Sequence, residues 1–249
     1  MNPIRTAWLA AVTASLAVAQ QPVADGLAEV ERLGEQFTAL QQDLRKQWSG
    51  LEQLPADERE AAGDRIYGDY QAKVAALSER LVEIVTEHPA GELGAKAIGA
   101  ALGMPLNKAG RAIVVEALAD HHATGPTIAP LLPRLRYVAG KTVDALLQRV
   151  IDENPDRAAK GGACLTLAQR QEEEEPKAEL LERCVADFAD VMLGEHTVGA
   201  TAETLLTALR NIKVGKVPPD IVGKDMDGAA FKLSDYRGKV VMLDYWGYW

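Results

Sequence analysis

The sequence is poor in aromatic residues, cysteine and catalytic signatures. Aromatic residues make up only 5% of 249 positions, while alanine and leucine dominate. That balance favours helices and argues against an all-β fold. There are two cysteines, Cys164 and Cys184, and no CxxC spacing. The four histidines, His88, His121, His122 and His196, show no H-x3-H or HExxH pattern, so no metal site is expected. GxSxG elbows and phosphate loops are also missing, which leaves hydrolase and nucleotide chemistry without a motif, and no cofactor is expected. Basic residues are in deficit: 27 Lys and Arg against 36 Asp and Glu, a net charge of −9. Such a chain gains no counterion-release affinity for nucleic acid and is repelled by an anionic membrane surface. No apolar run approaches the roughly 20 residues that a membrane-spanning helix needs.

What is present begins with an export signal. Arg5 supplies a positive start, Ala7 to Ala19 is apolar apart from Thr13 and Ser15, and Ala17-Val18-Ala19 fits the small-x-small rule for cleavage. Residues 1–19 are therefore expected to be removed. The mature protein is then expected outside the cytoplasm, periplasmic or extracytoplasmic, with no membrane attachment beyond export.

Helical periodicity follows. Leu27, Val30, Leu33, Phe37, Leu40, Leu44 and Trp48 form one stripe; Ile66, Tyr70, Val74, Leu77, Leu81, Ile84 and Val85 form another. Ser49-Gly50 and Leu54-Pro55 separate them, and His88-Pro89 ends the second, since the residue before proline avoids helical geometry. The pair predicts an antiparallel helical hairpin. Shorter helices are expected at about 91–102, 107–121, 126–138, 142–153, 156–169, 176–193 and 199–211, with Asn154 capping the helix that Pro155 opens. Residues 83–90 resemble residues 149–156 at an offset of 66, about twice a tetratricopeptide period. The fold class expected is mainly α: a helical hairpin array, solenoid-like or bundled, over residues 20–212. Such an array offers a surface for a protein partner.

Two local features have bland readings. Glu172 to Glu175 are adjacent carboxylates that fan around a helix start and do not converge on a cation. Gly161-Gly162 suits a close packing contact. For Cys164 and Cys184 two readings stand: a structural disulfide in an oxidising compartment, or small residues in a helical core.

Composition changes after Asn211. Pro218-Pro219 forces an extended entry, Asp225-Met226-Asp227-Gly228 supplies a turn, and Phe231 and Leu233 alternate with Lys232 as a half-exposed strand does. Val240 to Tyr245 is nearly all apolar, which predicts a central strand covered on both faces. The incomplete sheet predicts poor packing, or a strand pair resting on the helices.

This order of residues resembles the opening of thioredoxin-like thiol–disulfide oxidoreductases of the ResA/TlpA type, within the alkyl hydroperoxide reductase/thiol-specific antioxidant (peroxiredoxin-like) group. The matching residues are Gly215, Pro219, Asp220, Asp227-Gly228, Leu233-Ser234-Asp235, Gly238-Lys239 and Val240-Val241. Trp246-Gly247-Tyr248-Trp249 matches the aromatic lead-in, so Trp246, Tyr248 and Trp249 would approach the active site. The resemblance covers about 36 residues and implies that residues 213–249 open an incomplete thioredoxin-like α/β domain. It places the catalytic cysteine of the family's CxxC immediately after Trp249, and Cys164 and Cys184 match no family position. The intact parent would act on a protein disulfide or thiol, or on a peroxide. These 249 residues alone would be inactive. A selenocysteine encoded by UGA at that next position is one expectation; a frameshift, an assembly edge or a true stop are the others. The alternative function is a helical binding module with a vestigial redox tail.

Overall fold

A computed structural model describes the backbone of residues 3–212 and 220–244, and the side chains of residues 23–212 and 220–244. The export-signal reading of residues 1–19 thus concerns side chains outside the described set. Gly215, Pro218, Pro219, Tyr245, Trp246, Tyr248 and Trp249 lie outside the described residues.

The protein is mainly α. Helices α1 (Pro3–Gly50) and α2 (Ala56–Glu87) form the expected antiparallel hairpin, joined by a 3-10 turn at Leu51–Gln53 and by Pro55, which stands at the N-cap of α2. Arg80 on α2 grips Glu29 on α1 through two hydrogen bonds of 2.8 and 3.0 Å, and Gly63 faces Trp48 near the tip. The apolar stripe is not uniformly covered. Val30, Leu33, Val74, Leu81, Ile84 and Val85 are buried at the base, whereas Leu40, Leu44, Ile66 and Tyr70 are half-buried and Trp48 is 50% exposed. The base of the hairpin belongs to the core and its tip extends past it.

Shorter hairpins follow: α3 (Gly91–Ala101), α4 (Lys108–His122), a 3-10 segment (Pro126–Leu131) running into one-turn α5 (Leu132–Leu135), α6 (Lys141–Glu153), α7 (Arg157–Arg170), α8 (Glu174–Phe188) and α9 (Val198–Asn211). Most pack on their sequence neighbours, while α4 rests chiefly on α2 and α5 on α7, and one continuous apolar cluster runs from α1 to α9. This is the array arrangement. Helices α4, α6 and α8 start at Lys108, Lys141 and Glu174, 33 residues apart each time. The 66-residue offset in the sequence is therefore two periods. The intermediate copy turns at His122 and Ala123, with no proline there to mark it.

The turns are tied to one another. Buried His122 bonds Thr127 Oγ through Nδ1 (3.0 Å) and the Pro89 carbonyl through Nε2 (2.9 Å). A carbonyl only accepts, so Nε2 carries a proton and donates to Pro89. One period on, buried Asn154 donates to the carbonyls of Ala123 (2.7 Å) and Gly125 (3.1 Å) and accepts from Asp156 N–H (2.8 Å). Arg157 then reaches the Asp187 carbonyl (2.7 Å) and the Asp190 carboxylate (2.8 Å). A polar ladder thus runs along the edge of the array, satisfying backbone groups that the turns leave unpaired.

Several expectations are corrected. The helix expected at 126–138 is a 3-10 segment and a single α-turn, because Pro130 and Pro133 each remove an N–H and crowd the preceding turn. The helix expected to run to 193 stops at Phe188; Met192–Leu193 (β1) and His196–Thr197 (β2) form a small antiparallel ladder around Gly194, whose φ is +64°. Asn154 does not cap α7. Asp156 does, accepting from Ala158 N–H at 2.9 Å, while Asn154 serves the ladder. Gly161 and Gly162 are packing glycines, as a side chain there would press on Phe188, Val191 and Leu132. Glu172 to Glu175 are exposed at the start of α8.

After the helices, Val222–Lys224 (β3) and Ala230–Lys232 (β4) pair antiparallel, followed by a 3-10 turn at Leu233–Tyr236. Residues 240–244, expected as a buried central strand, form no strand here. Val240 and Met242 are fully exposed, and no residue of 220–244 is buried. A central strand is covered by neighbours on both edges and by helices on both faces; the described residues include none of these around 240–244.

Candidate functional site: the C-terminal hairpin

The hairpin is set by its turn. Asp225 Oδ1 accepts from the N–H groups of Asp227 (3.0 Å) and Ala229 (2.9 Å), and Gly228 takes φ +84°, a conformation that suits glycine. The resulting register pairs Val222 with Lys232, Gly223 with Phe231 and Lys224 with Ala230. The Phe231 ring lies over Gly223, where a Cβ would sit 3.3 Å from it, and meets the Tyr236 ring edge-on at 6.4 Å. Lys239 Nζ stands 5.4 Å from the Tyr236 ring centre.

A second clasp closes the segment. Asp220 accepts from Ser234 N–H (2.8 Å) and Ser234 Oγ (2.7 Å), which joins the entry of β3 to the turn after β4. Those hydrogen bonds, with Lys232 and Arg237 nearby, hold the Asp220 carboxyl below its ordinary value. Asp235 returns a bond to Lys232 N–H at 2.9 Å, and Leu233 N–H donates to the Ile221 carbonyl at 2.9 Å. The residue types of the sequence pattern are thereby explained: Asp220, Asp225 and Asp235 each hold backbone N–H groups, and the Ser234 hydroxyl holds the Asp220 carboxylate. None is placed as a nucleophile or a general acid.

The other sequence-predicted residues are not brought to it. Cys164 and Cys184 are fully buried free thiols on the packed helices α7 and α8. His88, His121 and His196 are exposed and dispersed, and among the described residues no three metal-ligating side chains converge. A cleft of about 500 Å³, missed by the sequence reading, opens between the α3–α4 connection and α5, with Met104, Leu106, Arg111, Arg134, Tyr137 and Val138 on its walls. Arg111 and Arg134 are engaged with the carbonyls of Leu106 and Gly99. No carboxylate, histidine, cysteine or serine lines it. Among the described residues no helix is long and apolar enough to cross a membrane.

Comparison with known proteins adds to this geometry. The chain is 43% identical over 54 residues to the thiol-disulfide oxidoreductase ResA of Geobacillus thermodenitrificans (strain NG80-2), a match that covers 22% of this chain and 29% of that protein. Part of the chain has thioredoxin-like relatives. The ResA of Geobacillus kaustophilus (strain HTA426) is 38% identical over 69 residues, 27% of this chain and 40% of that protein. The ResA of Bacillus thuringiensis subsp. konkukian (strain 97-27) is 36% identical over 55 residues, 20% of this chain and 32% of that protein. The chain spans about a third of the length of these curated relatives. No family model and no solved structure matches it.

Proposed function

We propose that this chain is the helical platform and entry segment of an exported thioredoxin-like thiol–disulfide oxidoreductase. In this reading residues 1–19 are the export signal, residues 20–212 the platform and residues 213–249 the opening of the redox domain. The observation that carries the reading is the 43% identity over 54 residues to a thiol-disulfide oxidoreductase. The Asp220–Ser234 clasp and the Asp225 turn support it, because they give the motif residues a shared structural task.

The chemistry assigned to the intact protein needs a cysteine pair, and Trp246, Tyr248 and Trp249 lead towards it. A thiolate whose pKa is lowered at a helix N-terminus attacks a substrate disulfide, forming a mixed disulfide and releasing one thiolate. The second cysteine attacks that bond, releases the reduced substrate and leaves the enzyme oxidised. Buried Cys164 and Cys184 cannot stand in for this pair, since no substrate sulfur reaches them.

The test is thiol–disulfide exchange with insulin as substrate and dithiothreitol as reductant. The 249-residue chain is expected to add nothing to the rate given by dithiothreitol alone, and the protein isolated from its source to accelerate it. If the isolated protein also adds nothing, the redox reading fails. The repeated hairpins then favour a protein-binding array as the whole function.

A further inference from the structure

We infer that Cys164 and Cys184 are a disulfide-forming pair that staples α7 to α8 and so fixes the last hairpin of the array. The geometry carries the inference. Both side chains are fully buried in the one apolar cluster, on two helices that pack directly. Cys164 Sγ lies 3.6 Å from the Leu180 carbonyl, and Cys184 sits one turn beyond Leu180 on the same helix. Each thiol perturbs the other: Cys184 draws the Cys164 thiol down, and Cys164 together with burial pushes the Cys184 thiol up. Within these 249 residues they are the two cysteines available to pair.

The bond forms during folding, because in the packed state no oxidant reaches either sulfur. Before α8 docks, the Cys164 thiolate attacks a disulfide such as oxidised glutathione. The glutathione S–S bond breaks, one glutathione thiolate leaves, and Cys164 carries a mixed disulfide. Docking of α8 brings the Cys184 thiolate onto the Cys164 sulfur; the Cys164–Cys184 bond forms and the second glutathione leaves. The pair loses two protons and two electrons, and one oxidised glutathione becomes two reduced ones. A protein disulfide oxidant completes the same balance. The link closes a loop of about 20 residues, which restricts the unfolded chain far more than the folded one. Beyond it α9 leads to the C-terminal hairpin, so the staple anchors the hairpin's attachment point.

The experiment refolds the 249-residue chain in reduced and oxidised glutathione and measures intact mass under denaturing conditions. A monomer about 2 Da lighter than the dithiol form is expected, together with a Tm roughly 5–10 °C above that of the reduced protein. Cys164→Ala and Cys184→Ala should each abolish the redox dependence of Tm. A chain that retains two free thiols, stable glutathione adducts, or a disulfide-linked dimer would overturn the inference. So would a redox-dependent Tm that persists in either variant. The glutathione buffer makes the outcome independent of where the protein resides.

Discussion

Replacing Asn154 with alanine tests the turn ladder. The side chain is 1% exposed and makes three hydrogen bonds, donating to Ala123 O and Gly125 O and accepting from Asp156 N–H. Alanine at this site leaves the buried Ala123 carbonyl, and the part-buried Gly125 carbonyl and Asp156 N–H, without this partner. At about 1 kcal/mol of net loss per bond, with orphaned groups at the upper end of that range, the substitution costs about 3 kcal/mol. For a protein of this length that is a fall in Tm of roughly 6–12 °C. Asn154→Asp is expected to be no better: it keeps the acceptor for Asp156 N–H but replaces the two donors with a carboxylate oxygen that faces the carbonyls of Ala123 and Gly125. Gln148→Ala, which removes only a half-buried side chain bonded to the exposed Asp152 carboxylate one turn on, should stay within about 0.5 kcal/mol of wild type. Urea titration followed by circular dichroism gives the stabilities, and hydrogen exchange reports the amides of residues 123–127, which should open first. A loss under about 1 kcal/mol for Asn154→Ala, with unchanged exchange at those amides, would refute the ladder as a stabilising element.

Other perturbations follow from the same contacts. Arg170→Lys should cost about 2–3 kcal/mol in urea titration, because a lysine cannot reproduce the fork that holds Asp144 at 2.6 Å and the carbonyls of Leu135 and Gly140. Gly94→Ala should cost about 2–3 kcal/mol, since its Cβ would meet backbone atoms of His88 and Pro89 at 2.5–2.7 Å. The Asp220 clasp should depend on acid. Its carboxyl is held below the ordinary value of 3.8, so the clasp's contribution is full above that value and is lost as pH falls through the lowered one. The Ser234 amide resonance should shift in that low-pH window and show no such titration in Asp220→Asn.

Much of the fold was legible because periodicity and proline are local signals. The α1–α2 hairpin, the stop at His88 and most later helices follow from them. The one-turn α5 was missed because Pro130 and Pro133 sit inside an otherwise helical pattern. The ladder was illegible because it depends on long-range partners: Asn154 reads as a cap from its sequence neighbours, yet its side chain serves a turn about 30 residues earlier. The 33-residue period was half-visible, since only alternate turns carry proline. In the tail, the Asp-Gly turn and the β3–β4 pairing were readable. The strand at Val240 was not realised, because a buried strand is made by its neighbours as much as by its own residues.

The account's central claim is that the C-terminal hairpin leads into a redox domain. The measurement that tests it most directly is the coding sequence downstream of the Trp249 codon in the source transcript. If residues 213–249 open a thioredoxin-like domain, a cysteine pair directly after Trp249 and alternating strand and helix patterns beyond it are expected. Unrelated sequence there, with no CxxC and no further α/β pattern, would contradict it.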